Sequence, residues 1–412
     1  MILNRSVSLC VALSWVLLAA CGSTGPNTLG GGPPDAGTGG LCAFTINADI
    51  NAPATWIHGT TACDYLVDGQ LNVTAALIVQ PSVVVRFTAH SWLDVKPTGS
   101  LHAAGGSSTP ISFSGTASKG YWGSLIFESN DPANELTYAQ VSYGGDTTTG
   151  MIGEVSVVTG GKLKLTHSSI SQSGTFGLYA MDGTHLDGFS TNVFSANTKA
   201  PVTVPLSGPG QLDTASDYSG GSAPNGEAWV AVTATATFTT TIDNQTWRAL
   251  NVPYLLSAGV SGSQMQYGGA LIISPGATLE FEADSGLLIM ETGSLSAVGT
   301  ALAPIVFTGR IQSTGYWKGL GFRSNAGNKL DHTVVSYGGS STFCCGYGGG
   351  GLSGHGANLV VGDTGGLNSA FTLTNSTVLH AGPTGYGYYA FPGASITQSG
   401  NAFTDNGLNN FP

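Results

Sequence analysis

Short apolar runs, separated by glycine, serine, asparagine or proline, are the main pattern along this chain. The runs Val83–Val85, Leu93–Val95 and Ile111–Phe113 are typical of it. Strands of this length, recurring at intervals of about ten to fifteen residues, predict an all-β body. After the first twenty residues no segment keeps apolar residues at helical spacing over three turns, so we expect almost no helix.

The sequence after residue 41 contains a long internal repeat. Pro81–Gly145 and Pro275–Gly339 align with the same offset of 194 residues at both ends, and looser matches extend outward from them. The clearest matched pairs are Phe87 with Phe281, Gly99 with Gly293, Pro110 with Pro304, Trp122 with Trp317 and Tyr143 with Tyr337. We therefore expect two homologous copies, over residues 42–225 and 226–412.

Two all-β architectures compete for this pattern. Glycine corners, with Asn and Ser at inward positions where stacked coils can pair side chains, favour a solenoid in which each coil buries the face of the next. The runs Ala75–Val79 and Leu287–Met290 lack the strict alternation of a β-sandwich strand. The pattern therefore predicts a parallel β-helix and not a string of sandwiches.

The segments Gly120–Phe127 and Gly315–Phe322, each followed by an Asn and then by Val-Ser-Tyr-Gly-Gly, resemble repeats of bacterial secreted right-handed β-helix proteins. The resemblance covers most of both copies and implies a right-handed coil. It does not specify a function, because that fold serves lyases, hydrolases, adhesins and inert scaffolds alike.

The first twenty residues are typical of an export signal, with Arg5 followed by an apolar run from Val7 to Leu18. This run is shorter than the roughly 20 residues of a membrane-spanning helix. Leu18-Ala19-Ala20-Cys21 resembles the lipobox of bacterial lipoproteins. The resemblance implies that Cys21 becomes the first mature residue and carries more than one acyl chain, enough for a stable anchor.

Residues 21–41 are expected to form a flexible tether, since Gly22–Gly40 is almost entirely Gly, Pro, Ser, Thr, Asn and Ala. Lipoprotein behaviour also implies that Gly22, directly after the cysteine, is compatible with an outer membrane. We expect the body to lie on its periplasmic or extracellular face. The net charge of −11, with 12 Lys and Arg in all, argues against nucleic acid or anionic lipid headgroups as partners.

The cysteines fit an oxidising compartment. Cys42 and Cys63 flank a loop at the start of the body, and a disulfide between them is expected. Adjacent Cys344 and Cys345 leave three alternatives open: a vicinal disulfide, free thiols or a soft metal site. We favour a local cross-link within the loop, because no second Cys or His pair stands at the spacing of a zinc site.

Candidate chemistry is sparse. Gly354-His355-Gly356 resembles a polygalacturonase motif, but the acidic partners that the motif requires are missing. No cofactor is indicated, although a structural calcium ion could assemble from acids of different coils, for which the candidates are Asp182, Asp187, Asp331 and Asp363. The alternating Thr233, Thr235, Thr237, Thr239 and Thr241 place a row of hydroxyls on one strand face, which β-propensity alone also explains.

The pairs Tyr121-Trp122 and Tyr316-Trp317 are the candidate glycan-stacking residues, with corner packing as the favoured alternative, since large aromatic side chains are mostly buried. Together these features predict a non-enzymatic surface lipoprotein, a scaffold or adhesin that binds glycan, matrix or envelope components. The alternative is a polysaccharide lyase or glycoside hydrolase with a site assembled across coils.

Overall fold

The computed structural model describes residues 42–115, 118–234, 238–257, 264–343, 356–363, 366 and 368–408. They confirm the all-β prediction and form a parallel β-solenoid of about 12 turns. Two single-turn 3-10 helices, η1 (Thr147–Thr149) and η2 (Pro209–Gln211), interrupt the strands. No helix in this described part is long and apolar enough to cross a membrane.

The strands are short, as the runs of the sequence predict. Those of the first half are β1 Phe44–Ile46, β2 Ala54–Trp56, β3 Tyr65–Val67, β4 Gln70–Val73, β5 Ala76–Val79, β6 Val84–Phe87, β7 Trp92–Val95, β8 Ser100–Ala104, β9 Ile111–Ser114, β10 Leu125–Phe127, β11 Glu135–Thr137, β12 Ala139–Ser142, β13 Gly153–Val157, β14 Lys164–Thr166, β15 Ser169–Ser171, β16 Phe176–Ala180, β17 Val193–Ser195 and β18 Val202–Pro205.

Those of the second half are β19 Val230–Thr233, β20 Phe238–Thr241, β21 Gln245–Trp247, β22 Tyr254–Ser257, β23 Gln264–Tyr267, β24 Ala270–Ile273, β25 Thr278–Phe281, β26 Gly286–Ile289, β27 Ser294–Val298, β28 Ile305–Gly309, β29 Gly319–Phe322, β30 Asn328–Asp331, β31 Thr333–Ser336, β32 Ala357–Val361, β33 Ala370–Thr374, β34 Thr377–Leu379, β35 Tyr386–Ala390, β36 Ser395–Ser399 and β37 Ala402–Thr404.

Five parallel sheets form the faces of the rod. Sheet A is β1-β3-β6-β9-β12-β15-β17, sheet C is β2-β5-β8-β11-β14, sheet D is β20-β23-β26-β29-β32-β35 and sheet E is β21-β24-β27-β30-β33-β36. Sheet B alone runs through both halves, in the order β4-β7-β10-β13-β16-β18-β19-β22-β25-β28-β31-β34-β37. The chain thus visits A, B and C in most of the early coils, from β3 to β14, and B, D and E in each later one.

Residues that match in the sequence repeat do not lie on the same face. Phe87 ends β6 of sheet A, whereas its match Phe281 ends β25 of sheet B. The repeated segments are therefore displaced by one face around the rod. A surface built from matched residues of both segments cannot lie along one side of it.

Stacked apolar residues fill the interior. Along sheet B, Leu71, Leu93, Leu125, Val155 and Leu178 lie in register, one above the next, and all are buried. Each coil therefore buries the apolar face of its neighbours, which is how a solenoid obtains a continuous core.

Asparagine side chains tie successive coils together at the corners, as the inward Asn and Ser positions predict. Asn192 Oδ1 accepts from the backbone N–H of Ser168 (3.1 Å), and its Nδ2 donates to the carbonyl of Leu165 (2.9 Å). Asn197 Nδ2 donates to Asn225 Oδ1 one coil later (2.9 Å). These bonds satisfy backbone groups at turns that would otherwise be buried without partners.

The first coil is closed covalently. The expected disulfide joins Cys42 to Cys63, with their Cα atoms 4.4 Å apart, and the rings of Phe44 and Tyr65 stack beside it with centroids 5.5 Å apart. A cross-link between residues 21 apart in the sequence restricts the unfolded chain and so stabilises this end of the rod.

Candidate functional site

The two tryptophans of the Tyr-Trp pairs belong to the core. Trp122 and Trp317 are 0% exposed, and their indoles stack on Phe87 and Phe281 with centroids 4.0 Å apart in both cases. Trp122 Nε1 donates to a backbone carbonyl at 2.9 Å and Trp317 Nε1 to another at 2.7 Å. Burial thus excludes both as glycan-stacking residues, because no face of either ring is available to a sugar.

Tyr121 and Tyr316 are half-buried and lie far apart around the rod. Tyr121 precedes β10 of sheet B, at the corner where the chain arrives from sheet A, whereas Tyr316 precedes β29, at the corner where the chain leaves sheet B for sheet D. The first corner lies at the N-terminal ends of the sheet B strands, and the second at their C-terminal ends. The tyrosines therefore do not form a shared binding surface, although each stays an individual candidate.

The acidic residues considered for calcium do not converge. Burial raises the pKa of Asp331, but hydrogen bonds from Asn375 and Lys329 outweigh this effect and lower it to about 2. Asp363 is buried and pairs with Arg323 (3.0 Å), while Asp187 is exposed. Among the described residues, no group of three or more His, Cys, Asp or Glu side chains is placed to hold a metal ion.

Three other residues bring a histidine, an acid and a hydroxyl together. His90 Nδ1 lies 2.5 Å from Asp146 Oδ2 and 3.2 Å from Thr148 Oγ1. A catalytic triad places the acid on Nδ1 and the nucleophile on Nε2, whereas here both partners contact the same nitrogen. Asp146 Oδ1 also accepts from the Thr148 backbone N–H (2.8 Å) and so caps η1, which is a structural role.

One buried carboxyl has the pKa of a general acid. Desolvation raises the pKa of Glu154 to about 8, against a smaller lowering by the hydrogen bond from the Gly144 backbone N–H (2.8 Å). Its second oxygen, Oε2, has no hydrogen-bond partner among the residues that the structure describes. The side chain is completely buried, so it cannot contact a substrate.

A cleft of about 260 Å³ opens where sheet D begins. The first strand of that sheet, β20, pairs with β23 on one side and is an edge strand on the other. Below it lie the turn Asp182–His185, the segment Leu206–Ser207 and Gln211 of η2. The next strand, β21, contacts η2 instead, since Gln245 Oε1 accepts from the Gly210 backbone N–H (3.1 Å). The cleft therefore exists because a new face starts above a corner of the earlier coils.

The inward side chains of β20 are polar, unlike those above them in sheet D. Thr239 and Thr241 lie in register with Met265 and Tyr267, which belong to the hydrophobic core. Both threonines line the cleft. Because the space beneath β20 is open to solvent, hydroxyls suit these positions, whereas apolar side chains would be left without a packing partner.

Two carboxylates face the cleft from different coils. Ser207 Oγ donates to Asp182 Oδ1 (3.2 Å), and Thr241 Oγ1 donates to Asp243 Oδ2 (3.1 Å). None of the described residues that line the cleft is Lys or Arg, and Ile242 stands at its rim with 76% of its surface exposed. A carboxylate offers about four acceptor sites, so both aspartates keep capacity to accept from hydroxyl or ammonium donors of a ligand.

Sequence reasoning found part of this site. It singled out Thr239 and Thr241 within the threonine row, and it named Asp182 as a candidate calcium ligand. The row does not lie on one strand face, because Thr233 belongs to β19 of sheet B and Thr239 and Thr241 to β20 of sheet D. Asp243 and Ser207 carried no signal of their own. Cys21, Cys344, Cys345, His355, Thr235 and Thr237 lie outside the described residues.

Comparison with known proteins adds no family to this description. No protein-family model matches the chain, and no curated protein or solved structure has significant similarity to it. The class of protein is therefore defined by the fold, a parallel β-solenoid, and by the cleft that interrupts its regular surface.

Proposed function

We propose that this protein is a lipid-anchored surface scaffold or adhesin that binds glycan or another envelope component without transforming it. The cleft beneath β20 carries the proposal. It combines hydroxyls, two acceptor carboxylates and an exposed apolar rim residue, Ile242, which is the mixture of groups found in small-molecule sites. Two other groups with acid–base chemistry are unsuited to catalysis. Glu154 is completely buried, and in the His90–Asp146 pair both the acid and the Thr148 hydroxyl contact the same imidazole nitrogen.

The anchor in this proposal is an acylated Cys21, followed by the tether to residue 41, on an outer membrane. The lipobox-like Leu18–Cys21 and the preceding apolar run support it. Labelling cells with a fatty-acid analogue and comparing the wild-type chain with Cys21→Ser tests it directly. Label that persists in the variant contradicts the anchor.

Two finer features of the fold belong to the same proposal. We take the coil to be right-handed, because parallel strands joined by a crossover are right-handed in about 98% of cases. We also take the two halves to be homologous copies. The matching stacks of Trp122 on Phe87 and Trp317 on Phe281, with equal centroid distances of 4.0 Å, support this.

A hydrolase is the alternative function, and one observation favours it. Asp182 and Asp243, from different coils, line the same cleft, and glycoside hydrolysis uses a pair of carboxylates on either side of the scissile bond. This would be a site assembled across coils.

The deciding experiment uses the full-length, detergent-extracted protein on a panel of neutral, basic and acidic polysaccharides, with and without calcium. Retention on a polysaccharide without new reducing ends or unsaturated products supports the binding function. Product formation that Asp243→Asn abolishes, but Asp187→Asn does not, establishes the hydrolase instead. No retention and no product on any polymer contradicts both.

A further inference from the structure

We propose that the cleft beneath β20 accommodates one sugar ring with hydroxyl or ammonium donors and no carboxylate, and that hexosamines bind it most tightly. This inference rests on the proposed function and narrows it. Its volume of about 260 Å³ lies just below the range of roughly 300–1,000 Å³ for sites of drug-sized ligands. The cleft therefore has room for a single small unit and not for a long segment of polymer.

Charge selects the class of ligand. The ionisable groups that line the cleft are Asp182, Asp243 and His185, without an accompanying Lys or Arg among the described lining residues. Two carboxylates repel a uronate and attract an ammonium group. They also accept from neutral hydroxyls, since each is engaged by only one side-chain hydroxyl, from Ser207 or Thr241.

The walls of the cleft supply the remaining contacts. Thr239 and Thr241 line it from β20, and Gln211 is held in place from the other side, because its Oε1 accepts from the Leu186 backbone N–H (2.5 Å). Ile242 presents an exposed apolar surface at the rim, on which the C–H face of a sugar ring can pack. Fixed polar groups and one apolar contact suffice to orient a ring.

A second polar group lies beside Asp243. Tyr267, on the strand next to β20, is completely buried, and its hydroxyl has no hydrogen-bond partner in the described part of the chain. Desolvation raises the pKa of Tyr267, and the negative charge of Asp243 adds to this effect. Tyr267 does not line the cleft, so it borders Asp243 without contacting the ligand.

The test uses three monosaccharides of similar size that differ in charge: glucosamine, glucose and glucuronate. Their binding to the full-length protein is measured by saturation-transfer NMR and calorimetry. We expect glucosamine to bind up to about fivefold more tightly than glucose, as one exposed ion pair allows, and glucuronate to bind least. Raising the ionic strength should reduce the glucosamine preference, because exposed charges are screened.

Matched variants separate the contacts. Asp243→Asn and Asp182→Asn should each reduce the preference for glucosamine over glucose, and the double variant should bring it to nearly one, while Ile242→Ala weakens both sugars alike. Asp187→Asn is the matched control. Asp187 is exposed and close to Asp182 in the sequence but does not line the cleft, so this variant should leave all three affinities unchanged. Circular dichroism checks that each variant keeps its β structure.

Several outcomes overturn the inference. Glucuronate binding as tightly as glucosamine refutes the charge argument, and sugar binding untouched by Asp182→Asn and Asp243→Asn moves the site elsewhere. If calcium alone binds where no sugar does, the ligand is a cation and not a sugar. If instead an extended peptide binds there, paired with the open edge of β20, the ligand is a peptide. If the whole protein is still retained on polysaccharide in these cases, the proposed function stands and only the cleft assignment fails.

Discussion

Glu154 gives the stability of the rod a pH dependence that can be worked out from its surroundings. Gly144 leaves room for this side chain, because a Cβ on Gly144 would lie 3.0 Å from both Glu154 Cγ and Trp122 Cε2. The carboxyl accepts one backbone N–H through Oε1, while Oε2 is unsatisfied. With water excluded and no cation in contact, the neutral form is strongly favoured.

The sign and size follow from linkage. The native pKa of Glu154 is raised from 4.5 to about 8, so the folded protein keeps a proton that the unfolded chain has lost. The free energy of unfolding therefore falls by about 1.4 kcal/mol per pH unit above pH ~4.5, and the fall ends near pH ~8. The total is on the order of 5 kcal/mol, of which about 3 kcal/mol is lost by pH ~7.

Glu154→Gln removes the titration while keeping the shape. The amide oxygen can still accept from Gly144, as Asn358 Oδ1 accepts from Gly338 N–H (2.7 Å) beside the second Tyr-Gly-Gly turn. The NH₂ group takes the place of the protonated Oε2, which is itself unpartnered, and adds one more buried N–H, which costs about 1–3 kcal/mol at every pH. We therefore expect the variant to be less stable than wild type near pH ~5 and more stable near pH ~8.

The assay is hydrogen exchange of the peptide that covers β13, together with thermal melting, over this pH range. A local readout is needed because long repeat arrays depart from two-state unfolding. Glu227→Gln is the control for a carboxyl-to-amide change at a partly exposed position. Parallel pH profiles for wild type and Glu154→Gln would refute the account of a protonated, buried acid.

Two further changes probe the core and the first coil. Cys63→Ser opens the disulfide with Cys42 and should destabilise the N-terminal coils by about 3 kcal/mol. Hydrogen exchange should become faster in β1–β3 but not in the last coils. A uniform increase along the rod would contradict nearest-neighbour stacking. Trp317→Ala removes the ring that stacks on Phe281 and should cost about 3–5 kcal/mol, seen as a lower Tm with faster exchange in β28 and β29. An unchanged Tm would show that this indole contributes little to the core.

The sequence allowed the fold to be predicted because a solenoid is governed by local rules. Each coil needs short apolar runs for its faces, small residues at its corners and Asn or Ser where a side chain must bond to the next coil. Asn192 and Asn197 meet the last requirement, and the Cys42–Cys63 disulfide closes a loop that is local in sequence. These features depend on neighbouring residues and so can be recognised in a single chain.

The candidate site could not be predicted in the same way, because it depends on the phase between distant coils. Asp182 and Asp243 share a cleft only because sheet D starts above the turn that holds Asp182. The burial of Trp122 and Trp317, by contrast, is what the favoured alternative of corner packing predicts. A usable signal was present in the threonine row, since Thr239 and Thr241 occupy positions that are apolar in the next strand.

The displacement of matched segments by one face and the position of the cleft have a common geometric cause. Within a regular stretch, each strand is paired on both sides and its inward side chains are packed between neighbours, so a ligand could enter only by breaking the ladder. Where the faces change from A, B and C to B, D and E, β20 begins sheet D, and no strand of the described residues lies beneath it. Its edge then faces the cleft, and its inward Thr239 and Thr241 line that cleft without loss of ladder hydrogen bonds elsewhere. A solenoid that binds a small ligand on its side is therefore expected to do so at such a change of faces. In this chain the second half supplies the edge strand β20, and the first half supplies the residues beneath it.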